Sequence, residues 1–366
     1  MSVAAIAVSA PPLAGPETNP RKEPMSDPLA KAKTLLAEAH AIDALGGAIV
    51  HPTPHVDKGT YEEHLLEWGW GSMSACLVSE PSYNATFEEV LTAINENLLY
   101  FEMSPKVKHI ERIEDFAEAK MSGRLGVFFQ LQSGSCIEQD RKRVRILHKL
   151  GLRQLQLTYM ERNFIGDGCL EPENRGLTHF GIQVVRDCAR VGMLVDCSHV
   201  GIQTTLDAAR YSSKPIIVSH TAVRAIADNP RCVTDEMIKA VAGKGGAIGI
   251  TPYAPYIRTD RTPTLEDFVD HVEYVVKLVG EDHAMIATDM FDGKTKANWA
   301  TPWYYPEIIG NAGYSTRRVP GFSSKSHLPD VVAAFVKRGF SDGAVKKILG
   351  GNFIRVAGEA WKGSNP

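Results

Sequence analysis

Two stretches of sequence, MLVDCSHV (193–200) and PIIVSHTAV (215–223), decide the fold that this chain predicts. Each is a short apolar run that ends in Ser-His, so His199 and His220 each follow a predicted strand. In parallel α/β folds, side chains just beyond the strand ends lie at the mouth of the active site. Two imidazoles at this position can bind a metal ion.

A later apolar run, AMIATD (284–289), brings Asp289 to the same predicted rim. Two histidines and one aspartate at three strand ends are typical of a hydrolase metal centre. A single buried histidine is more often a hydrogen-bonded core residue than a ligand. The metal interpretation therefore depends on the three positions occurring together.

The composition favours a soluble globular enzyme. The chain has 366 residues, of which 44% are hydrophobic and 23% charged, and its net charge is −3 without a long basic run. These values argue against nucleic acid or an anionic membrane surface as a partner. No apolar stretch is long enough to span a bilayer, so we expect no membrane partner.

The six cysteines are scattered and include no CxxC pair. This spacing is not that of a zinc ribbon or a disulfide framework. Free thiols in a reducing compartment are the simplest interpretation, and we expect a cytoplasmic protein that can form a homodimer.

Residues 1–28 are interpreted as a flexible leader and 29–366 as a single domain. The leader has a short apolar patch but no basic region before it, which argues against a signal peptide. Its Pro, Glu and Lys content argues against ordered structure.

Short apolar runs and amphipathic helical patterns alternate through the domain, which predicts a (β/α)8 barrel of the TIM type. Eight strands are predicted, at 42–50, 72–78, 125–131, 153–159, 193–197, 215–219, 246–251 and 284–289. Helices are predicted at 87–103, 113–123, 141–151, 264–280, 330–339 and 342–358. The segment 291–326 is too long for a plain connector. It carries Trp299, Trp303, Tyr304 and Tyr305, which favour packing, so we interpret it as a loop that covers the active site. The alternative interpretation is a disordered surface excursion.

The block GLTHFGIQVVRDCARVGMLVDCSHVG (176–201), followed by PIIVSHTAVRAI (215–226), DNPRCVTDEMI (228–238) and ATDMFDG (287–293), resembles the membrane (renal) dipeptidase family. That family belongs to the metal-dependent amidohydrolase-like barrels. The ending LGGNFIRV (349–356) also matches.

The resemblance implies roles for individual residues. His199 and His220 correspond to the imidazole ligands of the second metal site, and Asp289 to the catalytic aspartate that handles the proton of the attacking water. Arg231 corresponds to the residue that binds the substrate carboxylate, which suits a guanidinium fork. Asn163 lies in the loop after the fourth strand and is expected to contact substrate.

The departures from the family pattern fall in one functional unit. The family's Asp-Gly-His-x-Asp motif reads Asp43-Ala44-Leu45-Gly46-Gly47 here, and neither Leu45 nor Gly47 can bind a metal. The bridging glutamate aligns with Gln132, a neutral and weaker ligand, and a histidine after the fourth strand aligns with Tyr159, whose phenol can still polarise a carbonyl. The chain thus resembles a divergent subfamily that lacks the first-metal ligands.

The sequence therefore predicts a dipeptidase-like hydrolase with one zinc ion or none, held by His199, His220 and Gln132. Its substrate would be a dipeptide or another small N-acyl amino acid with a carboxylate. Two alternatives remain open: an enzyme for non-peptide carboxylates (lactone or C–N hydrolysis, decarboxylation), or a catalytically silent member of the family. His51 and His55, in HPTPH, are alternative ligands that would replace those lost from the first strand.

Overall fold

The computed structural model describes residues 27–47, 60–77, 84–290 and 318–363, together with Met1 and Ile49. Strands and helices alternate through these residues. The described strands are β1 (Ala41–Asp43), β2 (Trp70–Cys76), β3 (Val107–His109), β4 (Leu125–Leu131), β5 (Leu152–Gln156), β6 (Leu194–Asp196), β7 (Ile216–Thr221), β8 (Ala247–Ile250) and β9 (Ala284–Ile286).

Helices connect the strands and continue the chain after β9. The described α-helices are α1 (Pro28–Glu38), α2 (Tyr61–Glu67), α3 (Phe87–Met103), α4 (Glu114–Ser122), α5 (Lys142–Lys149), α6 (His179–Val191), α7 (Ile202–Tyr211), α8 (Asp235–Gly243), α9 (Ala254–Ile257), α10 (Leu265–Val279), α11 (Leu328–Arg338), α12 (Asp342–Lys346) and α13 (Asn352–Ala360). Short 3₁₀ helices lie at Ser135–Ile137, Glu281–His283 and Lys325–His327, and a π-helical turn at Lys347–Gly351 joins α12 to α13.

The sheet is parallel throughout and confirms the predicted (β/α)8 barrel. Eight strands follow one another in the order β1-β2-β4-β5-β6-β7-β8-β9, and β3 pairs with β4 off this path. Within the described residues, the two end strands share no ladder pair. Their ends meet just beyond the strands, where the Asp289 N–H donates to the Leu45 carbonyl at 2.9 Å.

Side-chain alternation divides the buried residues into two layers. Val127 and Phe129 of β4 belong to the larger apolar cluster, which includes many buried residues of the surrounding helices, whereas Phe128 belongs to a second cluster. This second cluster also takes Leu194 of β6 and packs against Phe353 of α13, whose ring stacks on Phe128 with centroids 4.9 Å apart. Because successive side chains point to opposite faces of a strand, we place the second cluster inside the barrel.

All eight predicted strands are present; the bounds of β4 match the prediction, and the others are shorter or shifted. The prediction missed β3, whose sequence Val-Lys-His gives no apolar run. The single helix predicted at 342–358 is instead α12, the π turn and α13. A close approach marks the break: a Cβ on Gly350 would lie 2.0 Å from the His40 carbonyl oxygen.

Several predicted features lie outside the described residues. These are nearly all of the 1–28 leader, the aromatic residues of the 291–326 loop, and the candidate ligands His51 and His55. The domain boundary at 28/29 stays a prediction, although α1 begins at Pro28 with Asp27 as its N-cap.

No helix of the described chain is both long and apolar enough to cross a membrane. All six cysteines fall within the described ranges, and no disulfide joins them.

Candidate functional site

Asp196 is the centre of a buried hydrogen-bond network at the carboxyl end of β6. Its carboxylate accepts from the N–H and hydroxyl of Ser198, both at 2.9 Å, and from those of Ser219, at 3.0 and 2.5 Å. Gln154 donates a further bond at 2.9 Å. A buried carboxylate is tolerated when such donors satisfy it, and this network fixes both Ser-His steps at once.

The network also determines which nitrogen of His220 carries the proton. The Ser219 hydroxyl donates to Asp196, so the Ser219 oxygen accepts from Nδ1–H of His220 at 2.8 Å. Nε2 of His220 is then left with its lone pair, as a metal ligand requires. It faces Nε2 of His199 at 2.8 Å, while Nδ1 of His199 lies 3.2 Å from the Met160 sulfur.

Both imidazoles are buried and electrically neutral at pH 7. Burial lowers the pKa of His199 and of His220 well below the usual value, and the nearby Arg231 cation lowers both further. A neutral imidazole is the form that binds metals. Both imidazoles therefore have the charge state that metal binding requires.

Backbone strain coincides with two of the predicted site residues. Among the described residues, the non-glycine residues with positive φ are Glu138 (49°), His199 (62°) and Asp289 (50°). Such conformations cost free energy and cluster at functional sites. The surrounding chain holds both: the His199 carbonyl accepts from the N–H of Cys169 at 2.8 Å, and the Asp289 N–H donates to the Leu45 carbonyl, just beyond β1.

Gln132 reaches the histidine pair from the end of β4. Its Nε2 lies 3.3 Å from Nε2 of His220, and its Oε1 accepts a hydrogen bond from the thiol of Cys76 at 3.4 Å. A half-turn of the amide would bring the oxygen toward the two imidazoles. Gln132 can thus add one neutral oxygen ligand.

These residues fit part of a site for one zinc ion. Zn–N bonds of about 2 Å in tetrahedral geometry set two ligand nitrogens roughly 3.3 Å apart. The histidine pair, at 2.8 Å, would have to open by about half an ångström to accept the ion. No group of three or more His, Cys, Asp or Glu in the described chain is arranged to hold a metal. His199 and His220, with Gln132, are the described residues that could hold one.

Arg231 lies beside the pair and is almost completely buried. One of its Nη2 protons is donated to the His220 carbonyl at 2.7 Å, whereas its buried Nε has no hydrogen-bond partner. The guanidinium lies 5.5 Å from the centre of the Tyr256 ring. Burial raises the pKa of Tyr256, and the charge of Arg231 opposes this rise.

A cavity of about 200 Å³ opens beside His199 and Arg231. Its lining includes a second cation, Arg224, and three thiols, those of Cys169, Cys197 and Cys232. Arg231 and Arg224 outnumber the one lining carboxylate, Glu171, so the charge and the volume of the cavity together suit a small anionic ligand.

Tyr159 stacks on the imidazole of His199. The ring centroids are 4.1 Å apart and the planes are inclined by 25°. The tyrosine ring is half-buried. It covers the imidazole of His199 at the mouth of the barrel.

Asn163 instead holds its own loop together. Its Nδ2 donates to the Leu157 carbonyl at 2.9 Å, and its Oδ1 accepts from the N–H groups of Ile165 and Gly166. These bonds within the loop use both polar atoms of the side chain. The predicted contact of Asn163 with substrate stays a prediction.

The residues that hold the site in place could not be identified from the sequence. Asp196 was visible as an acidic residue inside an apolar strand, a signal that usually marks a satisfied buried charge. Lys325, which is fully buried and lies 3.7 Å from Asp43, gave no signal because a lysine in a loop is ordinarily exposed.

Similarity to known proteins shows the family to which the chain belongs. The family model of the membrane dipeptidases (peptidase family M19) matches residues 67–311 of the chain. The chain belongs to this family. Dipeptidase tcpJ of Claviceps purpurea is 32% identical to this family member over 294 residues, which cover 77% of the chain. The chain spans 61% of the length of that relative.

Solved structures agree on the fold. An amidohydrolase from Pseudomonas aeruginosa superposes with a TM-score of 0.79 at 25% identity, covering 90% of this chain and 99% of that one. The probable dipeptidase PvdM from the same organism gives a TM-score of 0.77 at 18% identity, covering 92% and 98%.

Proposed function

We propose that this family member is a metal-dependent hydrolase that acts on dipeptides or other small N-acyl amino acids and uses at most one metal ion. The observation that carries the proposal is the convergence of two neutral imidazole Nε2 atoms beside a buried arginine with an unused N–H. The names of its relatives and family model support the same class of reaction.

His199 and His220, with the amide oxygen of Gln132, would hold the ion, which is zinc in this proposal. When bound, a divalent cation supplies Lewis acidity and lowers the pKa of a water molecule. Leu45 cannot serve as a ligand and is fully buried, which supports one ion rather than two.

The remaining roles belong to side chains of the protein. Asp289 accepts the proton of the attacking water at its carboxylate. The Tyr159 hydroxyl donates a hydrogen bond to the carbonyl that is attacked. Arg231 uses the charge of its guanidinium, which lines the cavity, to bind the substrate carboxylate and fix its orientation.

The test begins with protein stripped of metal and restored with zinc. Metal analysis after dialysis should give one equivalent or less, and His199→Ala should abolish that binding. Two retained equivalents would contradict the single-metal proposal and implicate residues beyond those described.

The hydrolytic step is tested with Asp289→Asn on a panel of dipeptides. The variant keeps the size of the side chain but removes the base, so turnover should fall about 10²–10⁴-fold while zinc binding persists. Full turnover by the variant would remove Asp289 from the mechanism. If wild-type protein with zinc is inactive on dipeptides but active on non-peptide carboxylates, the substrate class is wrong, and if it is inactive on both, the protein is a silent family member.

A further inference from the structure

Lys325 is a fully buried lysine at the carboxyl end of β1. Its ammonium donates to the Gly46 carbonyl and to the Tyr61 hydroxyl, the latter at 2.9 Å, and lies 3.7 Å from Oδ2 of Asp43. Burying an ammonium costs much free energy unless partners compensate it. Leu45, which precedes Gly46, offers no metal ligand. The positive charge at this end of β1 is instead the ammonium of Lys325.

Asp43 links Lys325 to the segment just after β9, the strand that neighbours β1 where the barrel closes. Its Oδ1 accepts from the Thr288 N–H at 2.8 Å and the Leu45 N–H at 3.3 Å, and its Oδ2 accepts from the Thr288 hydroxyl at 2.6 Å. Burial raises the pKa of Asp43, and the charge of Lys325 is the largest opposing influence. The ammonium therefore favours the ionised form, which accepts all of these bonds.

Three successive amides around Asp289 are held by this arrangement. The Thr288 N–H donates to Asp43, the Asp289 N–H to the Leu45 carbonyl at 2.9 Å, and the Met290 N–H to the Thr288 hydroxyl oxygen at 3.2 Å. Asp289 itself has a φ of 50°. A strained conformation of this kind persists only where the surroundings impose it.

We propose that Lys325 is a positioning residue for Asp289, acting through Asp43 and Thr288. The inference rests on the proposed function only for the role of Asp289 in hydrolysis. The structural part, that the ammonium holds the backbone of residues 288–290, is independent of any substrate.

The structural part is tested by amide hydrogen exchange on the full chain with the variant Lys325→Met. Exchange at 288–290 should accelerate at least about tenfold, the ratio that corresponds to about 1.4 kcal/mol of lost local stability. Peptides from β6 and β7 should exchange as in the wild type. The matched control is Lys347→Met, which removes a surface lysine that pairs with Glu281 and Asp282 and should leave 288–290 unchanged.

Thr288→Val provides a second route if Lys325→Met fails to fold. It keeps the side-chain shape and all charges but removes the hydroxyl that joins Asp43 to Met290, so exchange at 289 and 290 should again accelerate. Unchanged exchange at 288–290 in the folded variants, or an equal acceleration in β6 and β7, would overturn the proposal.

Kinetics test the functional part once a substrate is known. Lys325→Met should lower kcat about ten- to a hundredfold with KM nearly unchanged, and Lys325→Arg should recover part of the loss. An effect on KM alone would overturn the positioning role. An inactive wild type would count against the proposed function, while the exchange result would still decide the structural part.

Discussion

At the scale of single residues, Arg231 serves both the fold and the site. One of its nitrogens donates to the His220 carbonyl and so helps to hold the end of β7, and its guanidinium also lines the cavity. Its charge also contributes to the lowered pKa of both histidines. A cation next to neutral imidazoles is well suited to receive a carboxylate.

We expect Arg231→Met to weaken carboxylate binding about ten- to a hundredfold, because a charged hydrogen bond contributes roughly 1.5–3 kcal/mol. The measurement is kcat/KM for a dipeptide and for the same dipeptide with an amidated C-terminus. The wild type should prefer the free carboxylate, and the variant should lose that preference. If both proteins discriminate equally, Arg231 does not contact the carboxylate.

The residues of the site were predictable to different degrees. The proximity of His199 and His220 was predictable because they follow neighbouring parallel strands, and the ends of such strands meet at one edge. Their support was not predictable: Asp196 bonds to Ser219 and Gln154, 23 and 42 positions away, and the buried Lys325 lies against Asp43 from the other end of the chain. No local pattern encodes contacts of that kind.

At the scale of elements, β8 leaves no room for a side chain against β7 at Gly249. A Cβ at this position would lie 1.8 Å from the Ser219 carbonyl oxygen and 2.7 Å from its carbon. These atoms belong to the backbone and cannot turn aside. The residue that follows them is His220, so the spacing of the two strands bears directly on the site.

Gly249→Ala should therefore destabilise the protein by about 1–3 kcal/mol and weaken zinc binding, because β8 must move away from β7. Urea unfolding and zinc titration measure the two effects. Gly243→Ala is the control, since a Cβ there meets nothing within 4 Å and alanine favours the helix that it ends. Equal behaviour of the two variants would mean that the strand spacing is not constrained.

The strands of the barrel were predictable because each is an apolar run long enough to stand out. The ends of the strands were less predictable. The apolar pattern predicts a strand to 289, but β9 ends at Ile286. Beyond it, Thr288 bonds to the side chain of Asp43 and Asp289 bonds to the turn that follows β1. The tertiary contact ends the strand earlier than the local sequence indicates.

At the scale of the whole molecule, buried histidines link stability to pH. Burial lowers the pKa of His199, His220 and His271, the last to about 4. His271 accepts the Val223 N–H at its Nδ1 and faces the Ile257 carbonyl through Nε2. Protonation of Nδ1 would break the first of these bonds.

Below a pH of about 6.5 the unfolded chain binds protons at these histidines and the folded chain does not, so stability is lost as pH falls. Burial likewise lowers the pKa of His40, His109 and His148 to about 4. Each such histidine contributes at most about 1.4 kcal/mol per pH unit. Urea unfolding of metal-free protein between pH 7.5 and 5 should show stability falling with pH, with a slope that is smaller by up to about 1.4 kcal/mol per unit in His271→Gln. A flat profile across that range would contradict it.

The join between β1 and β9 makes the barrel unevenly tolerant of sequence change. Neighbouring strands elsewhere on the path are joined by main-chain ladders, which many sequences can form. In the described residues this join has one main-chain hydrogen bond, from Asp289 to Leu45, and otherwise depends on the side chains of Asp43 and Thr288, with Lys325 behind them. Over evolutionary time, substitutions in the other strands can accumulate singly, whereas these three positions are expected to change together or not at all.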